Sequence, residues 1–131
     1  MPHEVLTAYL ERIGSAVACL SNVYIKRYEE EIVTPLRANL RIRIRFPSGQ
    51  LLEVNEAVCI EEGRLRHPDY RYHCQDASAK LLFRYDSAPH FPALPQFPHH
   101  KHFPNDVIGV AKPDILAILE EAAKLFPARK S

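Results

Sequence analysis

The sequence has little cysteine, little glycine, no tryptophan and no long apolar run. Its three cysteines, Cys19, Cys59 and Cys74, are odd in number and include no CxxC pair, so they indicate neither a disulfide framework nor a thiolate zinc site. No apolar run reaches the roughly 18 residues that a membrane helix needs, and the N-terminus does not resemble a signal peptide. We therefore expect a cytoplasmic protein with no membrane partner.

The net charge is also close to zero, because 16 acidic residues nearly balance 17 basic ones and leave a formal charge of +1. Any nucleic-acid site must come from local charge rather than from the whole chain. The 131 residues, 47% of them hydrophobic, suit one globular domain over residues 1–131. The abundant residues are proline (11) and histidine (7), and both concentrate between residues 89 and 104.

Apolar periodicity predicts an α+β fold, a single two-layer domain. A helix begins near Pro2 and ends at Gly14-Ser15, and a second helix follows Pro113, with Asp114 near its positive end. The predicted stripe of the second helix comprises Ile115, Leu116, Leu119, Ala122, Ala123 and Phe126. Between about residues 20 and 87 the pattern predicts an antiparallel meander of about five strands, whose apolar face the two helices cover. A Pro/His-rich loop precedes the last helix.

Two predicted hairpins can be tested by the pairs they create. A two-residue turn at Ser78-Ala79 places apolar side chains opposite one another and polar ones opposite polar ones. Its expected pairs are Tyr72–Tyr85, Cys74–Phe83, His73–Arg84 and Arg71–Asp86. At Pro47–Gly49 we expect a three-residue loop with Gly49 as its bulge residue, and the pairs Ile44–Val54, Phe46–Leu52, Arg45–Glu53 and Arg43–Asn55.

The stretch from Pro89 to His102 combines stiffness with titratable groups. Its prolines at 89, 92, 95 and 98 repeat every three residues, which predicts polyproline II. Histidine titrates near neutrality and can transfer protons. His100 and His102 share a side if the backbone is extended. The structural alternative is a surface loop whose histidines bond to the backbone.

Two further features lie on the predicted polar face of the sheet. Arg41, Arg43 and Arg45 alternate along one strand, and guanidinium groups match phosphate oxygens; the alternative is a solvated strand neutralised by Glu53. His73, Arg84 and Asp86 lie on the same face and could combine acid–base chemistry with stabilisation of a transition-state charge. Here the alternative is a plain Arg71–Asp86 surface pair.

Three strings carry a resemblance to a known family. Tyr70–Asp76, Phe83–His90 and Phe97–His102 (YRYHCQD, FRYDSAPH and FPHHKH) resemble the TumE-like family, small bacterial toxins of toxin–antitoxin pairs. Cys74, Ser87 and Phe91 depart from the family pattern, Phe91 where a histidine is expected. The resemblance implies an antitoxin partner, often a helix-turn-helix protein, and by fold-level analogy an RNase of the broad RelE/barnase-like kind.

These observations lead to the hypothesis of a metal-independent endoribonuclease toxin that needs no cofactor. Its candidate catalytic residues are His73, Arg84, Asp86, His90, His100 and His102. Its candidate RNA-binding residues are Arg41, Arg43, Arg45, Arg71 and Lys101. Two alternatives stay open: a non-catalytic protein that binds RNA, the ribosome or an antitoxin, and a metal site built from Asp86, His99, His100 and His102. A free sheet edge, residues 22–33 or 81–86, is expected to pair with the antitoxin or with a second copy.

Overall fold

The computed structural model describes residues 1–125, and within them seven strands lie in chain order in one antiparallel sheet. The elements are α1 (Glu4–Ala18), β1 (Tyr24–Thr34), β2 (Arg37–Arg45), β3 (Leu51–Glu61), β4 (Arg64–Gln75), β5 (Leu81–Asp86), β6 (His100–Phe103), β7 (Asp106–Gly109) and α2 (Ile115–Lys124). The α+β class and the two terminal helices are confirmed. The sheet has seven strands rather than about five, because part of the expected loop forms β6 and β7.

Helix α1 begins at Glu4, directly after His3. The His3 side chain caps it by accepting a hydrogen bond from the Val5 N–H. It continues to Ala18, so the predicted end at Gly14 was wrong. A Cβ on Gly14 would lie 3.3 Å from the Tyr28 hydroxyl, and this close approach explains a glycine inside the helix. Packing against β1 therefore outweighs the low helix propensity of glycine.

Helix α2 is capped by Asp114, whose carboxylate accepts from the Leu116 N–H at 2.7 Å. Pro113 lies before the helix rather than in its first turn. The buried stripe contains Ile115, Leu119 and Ala122 as predicted, and Ile118 as well. The predicted stripe residue Phe126 lies outside the described residues.

The core lies between the apolar face of the sheet and the two helices. Tyr72, Cys74 and Phe83 are each no more than 1% exposed, which confirms the core side that the alternation predicted for them. Burial raises the pKa of the Cys74 thiol to about 12, so a nucleophilic role for this cysteine is disfavoured. Between residues 1 and 125 neither helix has the length and apolar character to span a membrane.

The β4–β5 register is confirmed at all four predicted pairs, Arg71–Asp86 through Cys74–Phe83. The turn itself differs, since the Asp76 N–H bonds to the Lys80 carbonyl and Ala79 has φ +65°. A bulge after Cys74 compensates for the longer turn.

At the Gly49 hairpin the three-residue loop forms, and Gly49 takes φ +94°. The predicted pairs were wrong by two residues, because Ile44 lies opposite Leu52 and Arg43 opposite Glu53. An even displacement keeps each side chain on its predicted face. The polar and apolar faces were therefore assigned correctly despite the wrong partners.

The segment between β5 and β6 forms turns rather than polyproline II. The Leu94 N–H bonds to the Phe91 carbonyl, and the His99 N–H bonds to the Gln96 carbonyl, whereas polyproline II has no internal hydrogen bonds. The segment folds against β7 so closely that a Cβ on Gly109 would overlap the Pro95 carbonyl oxygen. Tertiary contact with the sheet edge therefore overrides the proline spacing.

Gly109→Ala should lower the free energy of unfolding by about 1–3 kcal/mol, the usual cost of forcing a methyl group into a packed site. Chemical denaturation measures the change. The exposed neighbour Ile108 offers a control, because Ile108→Ala should cost under about 1 kcal/mol. Equal effects for the two variants would contradict the close packing of Pro95 on Gly109.

Candidate functional site

Two rows of polar side chains cross the sheet on the face away from the helices. The first row consists of Glu29, Arg41, Asn55, Arg71, Asp86 and His100, each opposite the next on the neighbouring strand. The second row consists of Arg27, Arg43, Glu53, His73, Arg84 and His102. We call this surface the polar face. Arginines at the centre of the sheet thus meet histidines and a carboxylate at the β5–β6 end.

A groove of about 760 Å³ runs along the polar face. Arg41, Arg71 and Arg84 line it, one from each of β2, β4 and β5, together with His90 and His102. Three guanidinium groups that converge on one groove favour an anionic, phosphate-bearing ligand.

At one end of the groove Asp86, His100 and His102 form a cluster that we call the triad. The His100 Nε2 lies 2.9 Å from Asp86 Oδ1, and the His102 Nε2 lies 3.7 Å from Asp86 Oδ2. Arg84 adds a positive charge, with its Nε 3.8 Å from the same Oδ2. Strand pairing between β5 and β6 brings these four side chains together.

The triad is partly sealed from solvent. His100 is only 2% exposed, and its Nδ1 lies 2.9 Å from the Pro98 carbonyl. The Phe91 ring packs edge-on against both imidazoles, with ring centroids 5.1 Å from His100 and 5.8 Å from His102. His102 remains accessible from the groove, since its side chain is 22% exposed.

Burial lowers the pKa of His102, and the positive charge of Arg84 lowers it further against the opposing pull of Asp86. The lowered pKa favours a neutral imidazole at neutral pH, which can accept a proton or bind a cation. His90 is exposed, also lines the groove, and lies near enough to His102 to contribute to that lowering. The groove therefore presents two accessible imidazoles, His90 and His102, and the buried His100 ring packs against His102.

His73 lies on the polar face next to Arg84 but is not among the side chains that line the groove. Its Nε2 contacts Gln75 Oε1 at 3.1 Å, and burial together with Arg71 and Arg84 lowers its pKa. The structure thus separates His73 from the histidines that sequence alone grouped with it.

Two arginines of the predicted basic strand are engaged away from the groove. Arg43 lies 3.6 Å from Glu53, and Arg45 donates to the Gly49 carbonyl at 2.8 Å. Neither lines the groove, and the expected Arg45–Glu53 pairing was wrong. Arg41 is the arginine of this strand that the structure brings to the site.

Lys101 and His99 point away from the groove. Lys101 lies on the helix side of the sheet, where its Nζ binds Glu121 at 2.9 Å and lies over the Tyr85 ring. His99 contacts the Tyr70 hydroxyl through Nδ1 and stacks on that ring. The structure therefore does not group Lys101 with the arginines, or His99 with the triad.

Sequence reasoning missed several residues that line the groove, among them Asn39, Asn55, Asp69 and Phe91. Strand alternation carried a signal for Asn55, because even the wrong pairing with Arg43 placed it on the polar face; the structure sets it between Arg41 and Arg71. No comparable signal existed for Phe91, whose position depends on how the turns between β5 and β6 fold.

A family model described as toxin TumE matches residues 13–126, which is most of the chain. No curated protein and no solved structure matches the chain.

Proposed function

Because the chain belongs to the toxin TumE family, we propose that it is an RNA-cleaving toxin whose active site is the groove on the polar face. The family implies a cognate antitoxin as its partner. The observation that carries the proposal is the convergence of three arginines, from three strands, on a groove that ends at the histidines. We propose that cleavage proceeds by histidine acid–base catalysis and needs no metal ion.

The proposed reaction is a transesterification, in which the ribose 2′-hydroxyl attacks the adjacent phosphodiester. His102 takes the proton of the 2′-hydroxyl, and the resulting oxygen attacks phosphorus. The P–O5′ bond breaks, and a second imidazole gives a proton to the leaving oxygen. His90 suits that role because it is exposed and lines the same groove. The products are a 2′,3′-cyclic phosphate and a 5′-hydroxyl.

The other groove residues bind and orient. Arg84, next to the triad, would stabilise the charge that develops on the phosphorane. Arg41 and Arg71, farther along the groove, would hold flanking phosphates. Asp86 and the buried His100 act as positioning residues, since Asp86 contacts His102 and Arg84, and His100 contacts Asp86 and the His102 ring.

An RNA cleavage assay tests the proposal. Untagged protein is incubated with total RNA in excess chelator, and the new 3′ ends are examined for cyclic phosphate. Chelator-resistant cleavage with cyclic ends supports acid–base catalysis. The absence of cleavage beside intact RNA binding would favour the alternative, a non-catalytic protein that binds RNA or the ribosome.

The salt dependence of RNA binding distinguishes the arginines that line the groove from arginines outside it. Arg71→Ala should weaken RNA binding and reduce the slope of log K against log salt by about 0.7, the value for one single-strand phosphate contact. Arg45→Ala is the matched control, because Arg45 is bound to the Gly49 carbonyl outside the groove. Fluorescence titration at several salt concentrations gives both slopes. Equal slopes for the two variants would contradict the assignment of the groove.

The antitoxin contact belongs, in our proposal, to the free edge of β1. This strand is exposed along almost its whole length, whereas strand 81–86 is interior because β5 pairs with both β4 and β6. Glu29, Glu30 and Glu31 make the middle of this edge acidic, next to Lys26 and Arg27, which favours an extended segment of complementary charge added as a further strand. Sedimentation of the chain alone, and then with its antitoxin, distinguishes this arrangement from a dimer of two copies.

A further inference from the structure

We propose that Asp86, His100 and His102 form a binding site for one divalent transition-metal ion, with Zn²⁺ as the best-fitting ion. Binding at this site does not depend on the proposed RNase activity. It would, however, occupy the same imidazole that the proposed reaction uses.

The spacing of the three side chains suits a metal. Their ligand atoms all lie within 4.8 Å of one another. Ligands of a tetrahedral zinc ion, at bond lengths near 2.0–2.1 Å, stand roughly 3.3 Å apart. The contacts of 2.9 and 3.7 Å between Asp86 and the two imidazoles bracket that value. These two contacts use different oxygens of the carboxylate, and the separation of the ligand atoms reaches up to 4.8 Å, so a bound ion would draw the ligands together by at most about 1.5 Å.

The hydrogen bonding of His100 supplies an independent indication. A carbonyl oxygen only accepts, so the 2.9 Å contact between Pro98 and Nδ1 places a proton on Nδ1. Nε2 is then free to carry a lone pair, and it faces the Asp86 oxygen at 2.9 Å without forming a regular hydrogen bond. In the neutral ring, two electron-rich atoms at this distance repel unless a cation lies between them, and a metal ion can take the place that a proton holds in an imidazolium–carboxylate pair. A buried nitrogen aimed in this way at a carboxylate is a ligand position.

The hydrogen bonds around the triad resemble those that orient the ligands in known metal sites. Metal-binding histidines commonly donate their other ring N–H to a carbonyl, as His100 does to Pro98, and binding carboxylates are themselves hydrogen-bonded. Asp86 Oδ1 accepts from the Ala88 N–H at 3.0 Å. The Phe91 ring packs against both imidazoles, and Asp86 and His102 line the groove, from which a water molecule or a phosphate oxygen could reach a bound ion.

The ligand chemistry selects the class of ion. Imidazole nitrogens with one carboxylate suit zinc, nickel or copper, whereas magnesium and calcium prefer oxygen ligands throughout. A bound ion would take the Nε2 lone pair of His102, so it would block the proton transfer assigned to this side chain. This inhibitory consequence rests on the proposed function; the binding itself does not.

Metal binding is measured directly, without RNA. Untagged protein is stripped with chelator, dialysed and titrated with Zn²⁺ by calorimetry. We expect one equivalent to bind, and affinity to fall on the order of 100-fold in His102→Ala and in Asp86→Asn. His99→Ala is the matched control: it removes a neighbouring histidine that contacts Tyr70 instead, and it should bind Zn²⁺ like the unmodified chain. Circular dichroism melting verifies that each variant is folded.

Three results would overturn the proposal: no stoichiometric binding by the folded chain, unchanged affinity in His102→Ala, or an equal loss in His99→Ala. Cleavage in excess chelator reports separately on the proposed function. A chain that binds Zn²⁺ but never cleaves RNA keeps the metal site and loses the RNase, and a chain that cleaves but binds no metal does the reverse.

Discussion

His102→Ala should reduce RNA cleavage by at least about 100-fold, the usual scale for losing a general acid or base. His102 is the triad histidine accessible from the groove, while His100 beside it is sealed beneath Phe91. The side chain is partly exposed, so its truncation should leave the fold intact. Initial rates on a defined single-stranded RNA, measured in excess chelator, give the ratio.

Two other histidines make this prediction specific. His90→Ala should lower the rate to a similar extent if His90 is the acid. His99→Ala should change it little, because His99 lies against Tyr70 away from the groove. A full rate in His102→Ala, or an equal loss in His99→Ala, would contradict the proposed chemistry.

Glu56→Ala should lower the free energy of unfolding by about 3 kcal/mol or more. Glu56 is only 4% exposed, and it accepts hydrogen bonds from the hydroxyls of Tyr9 and Tyr72, with His67 3.6 Å away. Its removal leaves these buried polar groups without their acceptor, and each such loss costs about 1–3 kcal/mol. Urea denaturation measures the change.

Glu53→Ala is the matched control for this loss. Glu53 is the same residue type on the same strand, but it lies on the polar face in a partly exposed pair with Arg43. Exposed ion pairs contribute about 1 kcal/mol or less. A loss at Glu56 no larger than that at Glu53 would show that the buried carboxylate does not join α1 to the sheet.

The same carboxylate predicts how stability depends on pH. Burial alone would raise the pKa of Glu56, but the nearby His67 and the hydrogen bonds from Tyr72 and Tyr9 outweigh it and leave the pKa below its ordinary value of 4.5. The stabilisation is therefore complete above pH 4.5 and is lost as pH falls through the lowered pKa of the folded state. Glu56→Gln should lose stability at neutral pH and show a shallower decline in acid. An unchanged decline would assign the acid sensitivity to other groups.

The alternation of side chains determined the faces of the sheet from sequence alone. Period-2 patterning placed Tyr72, Cys74 and Phe83 in the core and the arginines outside, and even a register displaced by two residues at Gly49 left those faces unchanged. The β4–β5 pairs were equally predictable, because both faces matched chemically in a single register. The three strings around residues 70–102 were sufficient to indicate the family that the match over residues 13–126 shows.

Period-2 alternation also assigns each residue of β6 to a face of the sheet, once the strand is known to exist. His100 and His102 share a side, as expected for an extended backbone, and Lys101 between them must face the helices. The prolines before this strand obscured it, since they suggested a loop, and Lys101 was therefore wrongly grouped with the arginines of the polar face. The sequence pattern does not show that residues 100–103 pair with the otherwise free edge of β5, and this pairing is what makes them a strand.

Only the tertiary structure decided which groups form the site. Strand pairing brought Asp86 opposite His100, excluded His73 from the groove and directed Arg43 and Arg45 to other partners. These outcomes depend on contacts between residues far apart in the chain, whereas the period of a strand is local. The sequence by itself determined the fold class, the faces and the family, because each follows from neighbouring residues. The convergence of the histidines with Asp86 required the order of the strands and the turns that pack Phe91 and Pro98 around them.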